Sequence, residues 1–152
     1  MAQKTTPHEK AYQYLWQELS LATMKEIPDS VLTGRGIRLK VENTLLRRAN
    51  LVIYSEYQDR PPTVILYQGS LLNLSDDLQV PFNLIRMTAI LHELCHYLVF
   101  HPTAASNQYQ DIPFKKISLR EEEQIITRVL TDWIQKHYSE YNTLVRMMIG
   151  EL

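Results

Sequence analysis

The run His92-Glu93-Leu94-Cys95-His96 contains two histidines four positions apart with a glutamate beside the first. On an α-helix, residues four apart lie on one face, so both imidazoles can reach one metal ion while Glu93 lies at its flank. In sites of this kind zinc lowers the pKa of a bound water to about 7, and the glutamate takes the proton of that water as general base. The spacing therefore predicts the core of a zinc hydrolase site, with His92 and His96 as metal ligands and Glu93 as the catalytic base.

The residues around this motif predict a helix from Pro81 to Phe100. The run has no internal Gly or Pro, and Pro81 suits a first helical position. Apolar residues at i, i+3 and i+4 spacing form one broad face that should pack on the core: Leu84, Met87, Ile90, Leu91, Leu94 and Leu98. His92 and His96 fall on another, also apolar side, where two adjacent imidazoles need a partner. Cys95 is interpreted as a buried small apolar residue.

A catalytic zinc needs a third protein ligand and leaves a position open for water. The candidates are the glutamates at 121–123, which begin a second helical pattern running from Ser118 to about Tyr138. Ser118 is a good N-cap, and Glu121 three residues later completes a capping box. An inward apolar ridge follows, formed by Ile126, Val129, Leu130, Trp133 and Ile134. Glu122 and Glu123 flank this ridge about equally while Glu121 points away, so periodicity leaves the choice between the two open.

The HELCHYL run together with the Glu-rich helix downstream resembles the gluzincin metallopeptidases, and most of all the ImmA/IrrE-type family. That family carries a metal-binding Glu followed by apolar positions at +3, +6, +7, +10 and +11. Counting from Glu123, all five positions are apolar; counting from Glu122, they include Arg128 and Asp132. The resemblance therefore implies that Glu123 is the third ligand and Glu122 the alternative.

The resemblance covers roughly residues 63–134, and its only highly specific element is HELCH. The family usually has a small residue and then Asn or Asp at +3 and +4 after the ligand, where this chain has Ile126 and Thr127. A second relative, the minimal metalloprotease-like domain, is suggested by the stretch TVILYQGSLLNLSDD before the motif helix. Both relatives imply zinc-dependent proteolysis, with a peptide added along an exposed edge strand. The ImmA/IrrE family further implies that the protein substrate is a regulatory protein.

Composition limits the other classes of function. The 152 residues, of which 45% are hydrophobic, predict a single domain over residues 1–152 with one core. The net charge of −1, without a basic stripe, argues against nucleic acid as a partner, and no run resembles a membrane span or a signal peptide. Together with a single cysteine, Cys95, these features predict a cytoplasmic protein.

The rest of the chain predicts the surroundings of the site. Residues 1–27 carry an N-terminal packing helix that begins at Pro7. Extended segments are expected at Ile37–Val41, Leu51–Tyr57 and Thr63–Tyr67, the last two as a hairpin or as neighbouring strands. Residues 101–117 form a polar loop or lid between the two ligand helices. Within it, Tyr109 and His101 are candidates to stabilise the transition state.

The expected fold is thus a small α+β, zincin-like domain in which a short twisted sheet packs against the HExxH helix and a second, Glu-bearing helix. The expected function is a zinc-dependent endopeptidase acting on a protein or peptide substrate. The alternative is a zinc-stabilised protein-binding module without turnover, in which His101 or Glu122 closes the site as a fourth ligand. Glu93 favours the enzyme, because a structural site has no use for a base at that position.

Overall fold

The computed structural model describes residues 7–23, 28–101 and 118–137. Within these ranges the helices are α1 (Pro7–Thr23), α2 (Pro28–Gly34), α3 (Gln68–Leu78), α4 (Phe82–Phe100) and α5 (Leu119–His137). The strands are β1 (Arg38–Glu42), β2 (Leu46–Arg48), β3 (Leu51–Ile53), β4 (Ser55–Asp59) and β5 (Pro62–Tyr67). The fold is therefore α+β, as the sequence predicts.

The larger sheet has the order β1-β5-β4, with β1 parallel and β4 antiparallel to the central strand. β5 takes the centre because its last four residues, from Val64 to Tyr67, are all buried. β4 and β5 form the predicted hairpin, in which Tyr57 pairs with Val64. Because β4 stands at one end of this order, it is an edge strand within the described part of the chain.

The prediction of one strand over Leu51–Tyr57 is wrong. The chain divides this run at Tyr54, and its two halves pair with different partners. β3 pairs with β2 in a separate two-stranded sheet, whereas β4 pairs with β5. The local β-propensity of the run is continuous, but the pairing that splits it is a tertiary property.

The two-stranded sheet is anchored on the start of α3 at Gly69 and Ser70. The Ser70 hydroxyl accepts the backbone N–H of Leu46 at 3.0 Å, and the Ser70 N–H donates to the Thr44 carbonyl at 3.3 Å. A Cβ on Gly69 would lie 2.6 Å from the Thr44 carbonyl carbon, so only glycine permits this close approach. This anchor sets the position of β2, whose last residue is Arg48.

Helix α4 is the centre of the core, and its predicted extent is confirmed to within one residue. It packs against β4, β5, α1 and α5, which explains why its residues are apolar nearly all round. Its buried apolar side chains are Leu84, Ile85, Ala89, Ile90, Leu91, Leu94, Cys95 and Leu98. The predicted burial of Cys95 is confirmed.

Helix α1 is the predicted N-terminal packing helix, described here over Pro7–Thr23. Tyr14 is fully buried, and its hydroxyl donates to the Leu98 carbonyl of α4 at 3.3 Å. Tyr12 donates to Asp132 of α5 at 2.6 Å, so α1 contacts both of the helices that carry the HExxH motif and the glutamates. None of the helices in the described part of the chain has the length and apolar character that crossing a membrane requires.

Candidate metal centre

His92 and His96 lie on the same face of α4, as their spacing predicts, with ring centroids 5.0 Å apart. His92 is 7% exposed, and the His96 side chain is 14% exposed. Both imidazoles are thus held in a mostly dry wall, where a polar nitrogen without a partner is costly. The next helix in the chain, α5, supplies that partner.

Helix α5 begins as the sequence predicts. The Ser118 hydroxyl accepts the backbone N–H of Glu121 at 3.1 Å, and the Ser118 carbonyl accepts that of Glu122 at 2.9 Å. The apolar ridge of the helix is buried: Ile125, Ile126, Val129, Leu130, Trp133 and Ile134. Because this ridge packs on the core, the first turn of α5 is brought to the face of α4 that carries the histidines. Glu121 is exposed, in agreement with the sequence pattern.

The Glu123 carboxylate joins the two histidines. Its Oε2 lies 3.2 Å from His92 Nε2, and its Oε1 lies 2.9 Å from His96 Nε2. One ligand atom from each of these three residues lies within 4.8 Å of the others. The structure therefore brings His92, His96 and Glu123 together as a group that could hold a metal ion.

Glu122 occupies a different place. Its Oε2 lies 2.8 Å from Nδ1 of His96, on the side of the ring away from the Nε2 atom that faces Glu123. It does not belong to the three-residue group. The helical pattern does not choose between Glu122 and Glu123 as third ligand. In the structure, Glu123 lies close to the Nε2 atoms of both histidines, whereas Glu122 lies close to Nδ1 of His96.

The charges of the site are strongly coupled. The hydrogen bonds from His92 and His96 hold the pKa of the Glu123 carboxyl well below its usual range. Burial alone would lower the pKa of His96, but the hydrogen bonds to Glu122 and Glu123 outweigh it and raise that pKa to about 10. Without a metal ion, the two carboxylates thus favour the protonated, imidazolium form of His96.

Glu93 is buried beside the two histidines with one carboxylate oxygen unsatisfied. It is 3% exposed, and its Oε2 is buried without a hydrogen-bond partner among the described residues. Its Oε1 comes no closer than 3.8 Å to His92 Nδ1 in the ion pair between them. Burial raises the pKa of this carboxyl, with His92 and His96 acting in the opposite direction. A buried carboxylate held next to the metal-ligand group suits a general base.

The donor set fits a zinc ion. Two imidazole nitrogens and one carboxylate oxygen are ligands that zinc takes in catalytic sites. Atoms about 2.0–2.2 Å from a tetrahedral zinc lie roughly 3.3–3.6 Å from one another. The 3.2 Å between His92 Nε2 and Glu123 Oε2 is close to this value, and all three ligand atoms lie within 4.8 Å of one another.

A cleft of about 580 Å³ opens onto the site. One wall of the cleft is formed by residues of α4 and α5: Glu93, His96, Leu119, Glu122 and Glu123. The other wall is formed by Arg48 of β2 and by three residues of the edge strand β4: Glu56, Tyr57 and Gln58. Glu56 is ion-paired with Arg48 and also accepts the Tyr67 hydroxyl at 2.9 Å. The Glu56 side chain is therefore tied at both oxygens, whereas the Arg48 side chain remains 62% exposed.

The cleft residues of β2 and β4 could not be found from the sequence. Arg48 lies on β2 and lines the cleft, but its local sequence pattern does not indicate a site. Nothing in the local pattern of Glu56 or Gln58 indicates a site. Only the placement of β4 at the sheet edge beside α4 would have indicated them.

Of the two candidates for transition-state stabilisation, the structure describes His101 but not Tyr109. His101 ends α4, and its Nε2 lies 2.6 Å from Asp59 Oδ1 at the end of β4. Asp59 also accepts the Tyr57 hydroxyl at 2.6 Å, so His101 belongs to a network at the end of the hairpin and does not line the cleft. Tyr109 lies outside the described residues, as does the predicted loop or lid apart from His101.

Comparisons of the chain with protein-family models, with curated proteins and with solved structures found no match.

Proposed function

We propose that this chain is a zinc-dependent endopeptidase of the gluzincin type, similar to the ImmA/IrrE family, and that it cleaves a peptide bond of a regulatory protein. One observation carries the proposal. The Nε2 atoms of His92 and His96 lie 3.2 and 2.9 Å from the Glu123 carboxylate, and His96, Glu123 and the buried Glu93 line an open cleft. This is the arrangement that zinc hydrolysis requires of its protein ligands and its base.

His92, His96 and Glu123 would hold the zinc ion, which supplies Lewis acidity by lowering the pKa of water and polarising the scissile carbonyl. Glu93 takes the proton of the attacking water on its carboxylate and then donates it to the nitrogen of the leaving amine. Its burial supports this role, because desolvation raises its pKa toward the operating range of a general base.

The sheet supports a proposal for where the substrate binds. β4 is an edge strand, and Glu56, Tyr57 and Gln58 of this strand line the same cleft as Glu93. An extended peptide can add to such an edge by main-chain hydrogen bonds, with its side chains in neighbouring pockets. The exposed Leu119 and the cation of Arg48 would then contact the side chains of the substrate.

The binding-module alternative needs a closed site with four ligands. Neither candidate for the fourth ligand joins the group among the described residues. His101 is hydrogen-bonded to Asp59, and Glu122 to the Nδ1 of His96. A group of three ligands facing a cleft favours a site with an open position, and hence the enzyme.

Metal binding is tested with two matched glutamate variants. The purified protein should hold one zinc ion per chain in elemental analysis, and Glu123→Gln should lose it. Glu121→Gln, the same change two residues earlier at an exposed position outside the three-residue group, should retain the metal. A wild type that takes up no zinc at micromolar concentration would overturn the proposal.

Catalysis is tested with Glu93→Gln. The variant should retain zinc while cleavage falls at least ~100-fold, the typical loss when a general base is removed. Because the substrate is unidentified, the assay incubates zinc-loaded wild type and variant with a proteome lysate and maps new protein N-termini. New N-termini that form with wild type and not with the variant support the enzyme. A zinc-loaded wild type that forms none, or a variant as active as wild type, contradicts it.

A further inference from the structure

We propose that Glu122 is a positioning residue, which holds His96 in the one tautomer and orientation that can bind the metal ion. The inference rests on the zinc site of the proposed function and assigns a separate role to the second of two adjacent glutamates. Glu122 acts through the imidazole of His96 and is not itself a ligand.

The geometry around His96 carries this inference. The two nitrogens of its ring face two successive residues of α5, with Nδ1 at 2.8 Å from Glu122 Oε2 and Nε2 at 2.9 Å from Glu123 Oε1. An ionised carboxylate can only accept a hydrogen bond, so Glu122 requires a proton on Nδ1. A neutral imidazole protonated at Nδ1 presents its lone pair at Nε2, which is the atom that faces Glu123.

The hydrogen bond to Glu122 is shielded from water. The side chains of His96 and Glu122 are 14% and 13% exposed, whereas that of Glu123 is 52% exposed. Hydrogen bonds with an ionised partner are stronger than neutral ones, and low exposure strengthens them further. A metal-ligating histidine usually donates its other ring N–H to such a group, and losing that partner typically costs 10- to 100-fold in metal affinity.

The first turn of α5 gives its three glutamates three different environments. Glu121 points away, Glu122 reaches Nδ1 of His96, and Glu123 reaches both Nε2 atoms. His92 has no equivalent of Glu122, because its Nδ1 is buried without a hydrogen-bond partner among the described residues. The support is therefore specific to His96, and an experiment can compare the two histidines within one protein.

The test compares Glu122→Ala and Glu122→Gln with Glu121→Gln, using zinc alone as the ligand. Zinc affinity is measured by competition with a chelator, and long-range nitrogen–proton NMR spectra of the imidazoles report which ring nitrogen of each histidine carries a proton. In the zinc-loaded wild type, His96 should be protonated at Nδ1, with that proton shifted downfield by its carboxylate partner. Circular dichroism checks that each variant is folded.

We expect Glu122→Ala to weaken zinc binding about 10- to 100-fold and to move the Nδ1 proton of His96 upfield, because that proton loses its carboxylate acceptor, while leaving the His92 signals in place. Glu122→Gln should recover part of the affinity, since its amide oxygen can still accept from Nδ1, and Glu121→Gln should match wild type. If Glu122→Ala binds zinc as tightly as wild type does and keeps the downfield Nδ1 proton of His96, the positioning role is wrong. If it loses zinc as completely as Glu123→Gln, Glu122 is a ligand and the inference is equally overturned. A wild type that binds no zinc would instead overturn the proposed function.

Discussion

Two buried glutamates of this protein should respond in opposite directions to the same substitution. Glu18 and Glu93 are 2% and 3% exposed. Glu18 is ion-paired with Arg35 at 3.2 Å, whereas Oε2 of Glu93 has no hydrogen-bond partner among the described residues. Glu→Gln keeps the size of the side chain and removes its charge, so it compares a paired carboxylate with an unsatisfied one at equal burial.

The Glu93→Gln substitution should stabilise the metal-free protein. An unsatisfied buried polar group costs about 1–3 kcal/mol, and an ionised one more. In the variant, an amide N–H in place of Oε1 would lie near His92 Nδ1, which is also buried and unpartnered in the described structure. We therefore expect a gain of about 1–3 kcal/mol in the free energy of unfolding, or roughly 2–4 °C in Tm for each kcal/mol.

The Glu18→Gln substitution should destabilise the protein instead. It leaves the guanidinium of Arg35, whose side chain is 24% exposed, without its charged partner. Breaking a buried pair costs about 3–5 kcal/mol, and the partial exposure of Arg35 together with the remaining amide oxygen reduces this to about 1–3 kcal/mol. The sign of the change thus distinguishes the two sites.

Urea denaturation of chelator-treated wild type and both variants provides the measurement, since a bound metal would add its own stabilisation. A rise in the free energy of unfolding for Glu93→Gln and a fall for Glu18→Gln are expected. If Glu93→Gln loses stability by as much as Glu18→Gln, the Glu93 carboxylate is a satisfied structural group. Its assignment as a base held ready at a cost to the fold would then be wrong.

Two further predictions concern the supports of the fold. Gly69→Ala should cost about 1–3 kcal/mol, as overpacking typically does, because the new Cβ would lie 2.6 Å from the Thr44 backbone. Gly34→Ala is the matched control, since its Cβ would meet nothing within 4 Å. An equal loss of stability of the two variants in thermal denaturation would contradict the reasoning. The bidentate hydrogen bond from Arg86 lowers the pKa of Asp29 in the folded protein. The pair therefore stabilises the fold fully at pH values above the unfolded pKa of Asp29, about 3.9. This stabilisation is lost as the pH falls through the lower, folded pKa. Since the Asp29 side chain is 38% exposed, Asp29→Asn should lower the free energy of unfolding by only about 0.5–1 kcal/mol at pH 7. Urea titrations of wild type and variant at several pH values measure this difference. If it is unchanged well below the folded pKa of Asp29, the assignment is wrong.

The helices that carry the site were predictable because their signals are local. A run without Gly or Pro, apolar nearly all round, identifies α4, and the Ser118 N-cap with the apolar ridge behind it identifies α5. The cap forms as expected, with the Ser118 hydroxyl accepting the N–H of Glu121. His92 and His96 then share a face by helical geometry alone.

The division of roles between Glu122 and Glu123 was not available from periodicity. Both residues flank the apolar ridge, so helical periodicity predicts that either side chain can reach the face of α4 that carries the histidines. What separates them is which nitrogen each carboxylate reaches, and this depends on the orientation of the His96 ring between the two helices. The split of Leu51–Tyr57 into two strands has the same origin, since each half follows the partner that it meets in space.

The carboxylate of Glu93 conflicts with the apolar packing of α4. The helix packs on the sheet and on α5, so most of its buried positions are occupied by apolar side chains. Local consistency would place an apolar residue at position 93 as well, between the buried Leu91 and Leu94. A carboxylate there is desolvated without a compensating hydrogen bond from the described residues, and folding alone gives no reason to keep it. The proposed general base gives such a reason, because the desolvation that destabilises the fold also raises the proton affinity that the base needs.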